Sequence, residues 1–385
     1  MKAKVIIFRL LVVAAALSAL SCQTVPSSDL PSWAIGPFAR PETGRPVIQP
    51  GAGPSFDCPM LGTSVRWAEG ATFNPAATLY DGRIAVLFRS EDDLHQGIGT
   101  RTSRLGMAWS DDGISMQVEP APVLYPGEDA QKEYEWPGGC EDPRIAMTED
   151  GLYVCLYTQW NRQCPRLAVA TSRDLRNWTK YGPAFAKAWE GSFRDLPTKS
   201  ASIVTELKEG RLVIHRFEGS GPFTGQYVMY WGEAFVNVAV SDNLTDWTPL
   251  LAEDGSLLRV MEPRDGSFDS LLTECGPPAV LTSDGIVLIY NGKNARADGK
   301  RDPQVSPEAY CPGEALFDPA DPTKLLDRLD APVLQPEEAF ERTGQYAAGT
   351  IFSEGLVYRD GCWYLYYGCA DSRVGVAVCK PSRRR

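Results

Sequence analysis

The chain has 385 residues, 43% of them hydrophobic, and a net charge of −11. It can therefore bury a large core, and it offers no basic face for nucleic-acid phosphates. With only two histidines, His95 and His215, a zinc site or a Ser-His-Asp triad is disfavoured, and neither metal nor cofactor is expected.

Residues 1–21 read as an export signal: Lys2, Lys4 and Arg9 precede an apolar run from Leu10 to Leu20 that is too short to span a bilayer. Ala19-Leu20-Ser21-Cys22 has the form of a bacterial lipobox, with Ala19 where leucine is usual. A lipidated Cys22 is expected to be the only tie to a membrane, in a periplasmic or cell-envelope protein. Cleavage that leaves Cys22 free is the alternative. Residues 22–62 read as a tether followed by Pro-rich sequence wrapping the edge of one domain, residues 63–385. None of the nine further cysteines forms a C-x-x-C pair. In an exported chain some are expected to bridge, for example Cys155 with Cys164 across a hairpin.

Within that domain, short β-branched and aromatic runs each follow a turn signal. Ala85 to Phe88 follows Asp81-Gly82, Leu212 to His215 follows Glu209-Gly210, and Ile286 to Tyr290 follows Asp284-Gly285. Trp363 to Tyr367 follows Asp360-Gly361. A second pattern recurs: Met107 to Gly113 is echoed at Ala168 to Trp178 and at Val238 to Trp247. Weaker echoes lie at Ala315 to Asp318 and Val374 to Val378. Repeats spaced about 60–75 residues apart predict an all-β, five-bladed β-propeller, in which strand ends from every blade face one site. A β-sandwich is the competing fold and does not explain the repeat.

Gly138-Gly139-Cys140-Glu141-Asp142-Pro143-Arg144 stands out. The two glycines permit close backbone approach, Pro143 is expected to hold Asp142 extended, and Arg144 to keep a carboxylate ionised. Such a cluster suits a sugar-cleaving site or a structural turn. Ser90 to Arg104 reads as a mobile loop, with His95 on its surface.

Taken with the repeat, this heptad resembles glycoside hydrolase family 130, the β-mannoside phosphorylases and hydrolases. The match extends over Phe73 to Ala77, Leu87-Phe88-Arg89, Tyr230-Trp231-Gly232, Cys275-Gly276-Pro277-Pro278, Asn291-Gly292, Asp321 to Lys324, Ala331 to Pro336 and Tyr366 to Asp371.

The resemblance implies a β-mannoside as substrate. In the family's phosphorylases the aspartate at the position of Asp142 is the general acid and phosphate attacks. This chain departs from them: Lys199-Ser200 replaces an Arg-Asn pair, although Arg216 remains. Glu274 and Glu314 look like the paired glutamates of the family's β-1,2-mannosidases, which use water. The expected catalytic set is Glu274 and Glu314 as acid and base, with Asp142 assisting. Asn74, Arg89, Lys199, Arg216 and Asp371 are expected to bind substrate, and some of Tyr157, Trp160, Phe217, Trp231 and Tyr346 to stack on sugar faces. The implied activity is inverting hydrolysis releasing mannose from β-1,2-mannosides. A phosphorylase making α-mannose 1-phosphate and a carbohydrate-binding propeller without catalysis are the alternatives.

Overall fold

The computed structural model describes residues 30–51, 53–92 and 96–380. The export signal, Cys22 and His95 lie outside them. Among the described residues the chain is nearly all strand, with two four-residue α-helices, Lys132–Glu135 and Ala339–Arg342, and one 3-10 turn, Ala188–Gly191.

The strands form five successive antiparallel units in chain order. The first joins Ala71–Tyr80, Arg83–Glu91, Ser103–Ser110 and Gln117–Val118. The second joins Gly139–Met147, Tyr153–Trp160, Pro165–Ser172 and Thr179–Pro183. In the third, Ala201–Lys208 pairs with both Arg211–Ile214 and Tyr227–Trp231, and the latter leads to Val236–Ser241. The fourth sets Leu272–Cys275 and Ala279–Leu281 against Ile286–Lys293, then Tyr310–Phe317 and Leu325–Arg328. The fifth is Ile351–Arg359, Cys362–Cys369 and Arg373–Cys379, and its outer edge is met by Ala39 and Ile48 from the N-terminal segment.

Each unit is buried on both faces, which is why its strands read as continuous apolar runs instead of alternating ones. Ile286, Leu288 and Tyr290 pack toward the third unit, whereas Val287 and Ile289 pack toward the fifth. One apolar cluster lies between each consecutive pair of units, and another joins the fifth to the first through Val357, Tyr366, Ala77 and Val86.

The sequence repeat is a turn with a hydrogen-bonding cause. Ser110, Ser172 and Ser241 each accept the backbone N–H three residues on, at 2.8–2.9 Å. Asp112, Asp174 and Asn243 accept the N–H groups two and three residues beyond themselves. These side chains close the turn in place of a ladder.

One covalent expectation fails. The nine described cysteines are all free thiols. Register explains why Cys155 and Cys164 do not bridge: Cys155 faces Ala170 across the hairpin, and Cys164 lies beyond the last pair, Trp160 with Pro165.

Candidate active site

The innermost strands of three units are broken at one point each, and the break presents a polar side chain. Asn74 falls at the register shift between Phe73 and Pro75, Asp142 at that between Glu141 and Arg144, and Glu354 at that between Ser353 and Gly355. Asn74 and Asp142 take φ of 45° and 48°. Asp142 is thus left-handed and not extended as expected. Pro143 carries no N–H, so a gap in the ladder beside it leaves no donor stranded, and a short Asx side chain tolerates this region. Gly139 does what its type predicted: a Cβ there would lie 2.1 Å from the Ser103 carbonyl oxygen.

Asn74 and Asp142 enter a cleft of about 170 Å³ lined also by Phe73, Arg89, Lys199, Glu274, Tyr310, Tyr346 and Asp371, among others, with Glu354 behind its wall. Asn74 Nδ2 donates to Asp142 Oδ1 at 2.8 Å. Arg89 lies 3.0 Å from the same oxygen and 2.8 and 2.9 Å from Glu91 and Glu141. Burial works to raise the Asp142 carboxyl, but Arg89, Lys199 and Arg144 outweigh it and hold it at about 2. Burial pushes Asp371 up to about 6 against the pull of Arg89.

On the other side of the cleft, Glu274 is 2% exposed and accepts from Ser200 Oγ at 2.5 Å. Burial pushes its carboxyl up to about 7, against the pull of Lys199 and with help from Glu233. Lys199 Nζ lies 3.0 Å from Glu233. Although burial disfavours the Lys199 charge, Glu274, Glu233 and Asp142 together raise its pKa. The backbone knits this group together: Gly232 N–H donates to the Ser200 carbonyl at 2.9 Å, and Cys275 N–H to the Gly232 carbonyl at 3.2 Å. Gly232 has φ +126°, and a Cβ there would meet the Phe235 carbonyl oxygen at 2.1 Å, so only glycine turns the chain here to present Glu233.

Of the eight expected site residues, Asn74, Arg89, Asp142, Lys199, Glu274 and Asp371 line this cleft and two do not. Glu314 is fully buried beneath the N-terminal segment, where Oε2 accepts the Ile35 N–H at 2.9 Å. Its side chain lies on the face of its strand that packs against the fifth unit. Arg216 is exposed, donates to the Gly225 carbonyl and lies over the Tyr227 ring, lining a separate hollow with Glu149, Glu206 and His215. Arg144 helps keep Asp142 ionised, as expected, but through space and not by a direct carboxylate contact. Its ion-pair partner is Glu354, at 2.9 Å, and it reaches Asp142 through the backbone carbonyl. Among the aromatics, Tyr346 lines the cleft, whereas Tyr157, Phe217 and Trp231 are core. Trp160 is tied to the Gly99 carbonyl instead of lining the cleft.

The residue missed by sequence is Glu233. The motif Tyr230-Trp231-Gly232 ends one position before it, and a sharp glycine turn ahead of an acid was the available signal. Tyr310 and Phe352, which stack edge-on at 5.5 Å in the cleft wall, carried no signal of their own.

Comparison with known proteins gives a family. The family model of glycoside hydrolase family 130, described as beta-1,4-mannooligosaccharide phosphorylase, matches residues 57–382. A 1,2-beta-oligomannan phosphorylase of Thermoanaerobacter sp. (strain X514) is 31% identical over 318 residues, 81% of this chain and 91% of that protein. A glycosyl hydrolase structure from Bacteroides ovatus superposes with TM-score 0.88 at 56% identity, covering 92% of this chain and 96% of that one. A further structure, reported with glycoside hydrolases of the family that target beta-1,2 mannosidic linkages in Candida mannan, gives TM-score 0.88 at 55% identity over 91% and 96% of the two chains. The chain belongs to glycoside hydrolase family 130.

Proposed function

We propose that this chain is an inverting glycoside hydrolase that releases mannose from β-1,2-linked mannosides, built as a five-bladed β-propeller with the cleft at the meeting point of its inner strands. The observation that carries the reading is the pairing of Glu274 and Glu233 about Lys199. Inversion needs one carboxylic acid to protonate the leaving oxygen and one carboxylate to activate water on the opposite face. Glu274, pushed up to about 7, still holds its proton near neutral pH and suits the acid. Glu233, paired with the cleft-lining Lys199 and with a 47% exposed side chain, suits the base that takes the proton of an incoming water. Water then attacks the anomeric carbon as the glycosidic bond breaks, and mannose leaves in the α configuration. Asp142, held at about 2, is ionised throughout and suits a hydrogen-bond acceptor for mannosyl hydroxyls beside Asn74.

Two features favour water over phosphate. The cation nearest both glutamates, Lys199, is already engaged by Glu233, Glu274 and Asp142, so a phosphate there would face uncompensated carboxylates. The relatives near 55% identity are described as hydrolases, whereas the phosphorylase stands at 31%. A cleft of about 170 Å³ is small beside the roughly 300–1,000 Å³ of drug-sized ligand pockets, which suits one sugar ring at a time. Incubation with β-1,2-mannobiose, with and without phosphate and followed by proton NMR, tests the proposal. Free α-mannose at a rate independent of phosphate is expected. Mannose 1-phosphate would make it a phosphorylase, and binding without turnover a carbohydrate-binding protein.

A further inference from the structure

Arg144 is 2% exposed and spends its guanidinium on three units of the fold at once. Nη1 donates to the Asp142 carbonyl at 3.1 Å, Nη2 to the Cys275 carbonyl at 2.8 Å and Nε to the Gly276 carbonyl at 3.4 Å. Two of those carbonyls belong to Asp142 itself and to the residue that follows Glu274. The remaining contact is the ion pair with Glu354 at 2.9 Å, wholly buried in the bulge of the fifth unit. Neighbouring bonds fasten the same place: Ser202 Oγ donates to the Gly276 carbonyl, and Asn291 holds Ser353 through both its N–H and its carbonyl.

We propose that Arg144, oriented by Glu354, is a positioning residue that fixes the Asp142 and Glu274 side chains relative to each other across the cleft. The planar guanidinium is suited to this because its donors point in fixed directions; an ammonium on a flexible stem reaches one partner at a time. Neither residue lines the cleft, so neither touches substrate. The inference rests on the mannoside-cleaving reading for the roles of Asp142 and Glu274, and its test is read as a ratio to wild type, whichever product wild type releases.

The decisive variant is Arg144→Lys, which keeps the charge opposite Glu354 and loses the fork. A displacement of about 1 Å can cost about 10²-fold, so kcat is expected to fall on that order while the melting temperature stays well above the assay temperature. Glu274 is faced by Lys199, Glu233, Arg144, Glu354 and Tyr310. With the cation withdrawn toward Glu354, the alkaline limb of kcat/KM moves to higher pH. Glu354→Gln, which keeps the shape and removes the carboxylate opposite the guanidinium, is expected to give a smaller loss in kcat, and it carries the test if the lysine variant does not fold. Carbon NMR titration of the Glu274 carboxyl reads the same shift without turnover, should wild type release neither mannose nor mannose 1-phosphate. Wild-type kcat in Arg144→Lys overturns the proposal. So does a loss that tracks the folded fraction with the limb and the Glu274 titration unmoved, since a purely structural pair would behave that way.

Discussion

Glu274 and Glu314 lie in the same sheet two strands apart, Glu274 opposite Asn291 and Glu314 opposite Ile289, and both are fully buried. Their surroundings divide them. Glu274 has a hydroxyl donor in Ser200, a cation in Lys199 and an open cleft in front of it. Glu314 has one backbone N–H from Ile35, and its other oxygen has no hydrogen-bond partner among the described residues. Around it lie Ile289, Leu316 and the Trp33–Ile35 segment. Burial is the largest cause raising both carboxyls, Glu274 to about 7 and Glu314 to about 8. A raised pKa is therefore not evidence of catalysis, and access decides between the two.

The widest separation should come from activity. Glu274→Gln keeps the shape and the Ser200 contact but cannot deliver a proton, and Glu233→Gln cannot accept one. Each should lower kcat/KM by about 10²–10⁴-fold, the usual contribution of positioned proton transfer. Steady-state kinetics on β-1,2-mannobiose measures this. A loss under tenfold in Glu233→Gln would return the base to some other group and weaken the pairing about Lys199.

Stability should separate the two glutamates in the opposite sense. Glu314→Gln should leave turnover within about twofold, because nothing at that site meets substrate. Its effect is on pH dependence. The folded carboxyl binds its proton more tightly than the unfolded one, so wild-type stability is fully present below the unfolded value near 4.5 and is lost as pH rises through about 8. The slope from this group is at most about 1.4 kcal/mol per pH unit. Glutamine neither titrates nor gives up the Ile35 bond, so the variant should show a flatter stability profile between pH 5 and pH 8 in chemical denaturation. Parallel profiles for the two proteins would mean that Glu314 is hydrated in solution and that Ile35 does not seal it.

How far each region was legible follows from the range of the interactions that define it. The Ser110, Ser172 and Ser241 turns are local, each closed within a few residues, and their repetition was readable directly. The Asp142 heptad stood out because Gly and Pro carry backbone meaning wherever they occur, although the left-handed φ of Asp142 was not readable from them. Whether Glu314 faces the cleft or the neighbouring unit depends on a period-two alternation along Tyr310–Phe317 and on Ile35, 279 residues away in sequence. Neither is encoded near Glu314. Glu233 was hidden for a related reason: its importance comes from Lys199 and Glu274, each on another segment, and only the preceding glycine marks it locally.

The smallest expected effect tests the hollow lined by Arg216 against the cleft. Arg216 sits with Glu149, Glu206 and His215, donates to the Gly225 carbonyl and lies 5.5 Å from the Tyr227 ring centroid. Its surroundings already carry carboxylates, and His215 is itself paired with Glu206 at 2.8 Å. That hollow shares no lining residue with the cleft, so a phosphate bound there is not expected to serve as the attacking nucleophile. Arg216→Ala should therefore change kcat/KM by less than about twofold, the range of an ordinary surface substitution, at every phosphate concentration. Fluorimetric or chromatographic rates with and without phosphate measure it. A loss of tenfold or more that appears only when phosphate is present would place Arg216 in the reaction after all, and would break the division of labour drawn between the two hollows.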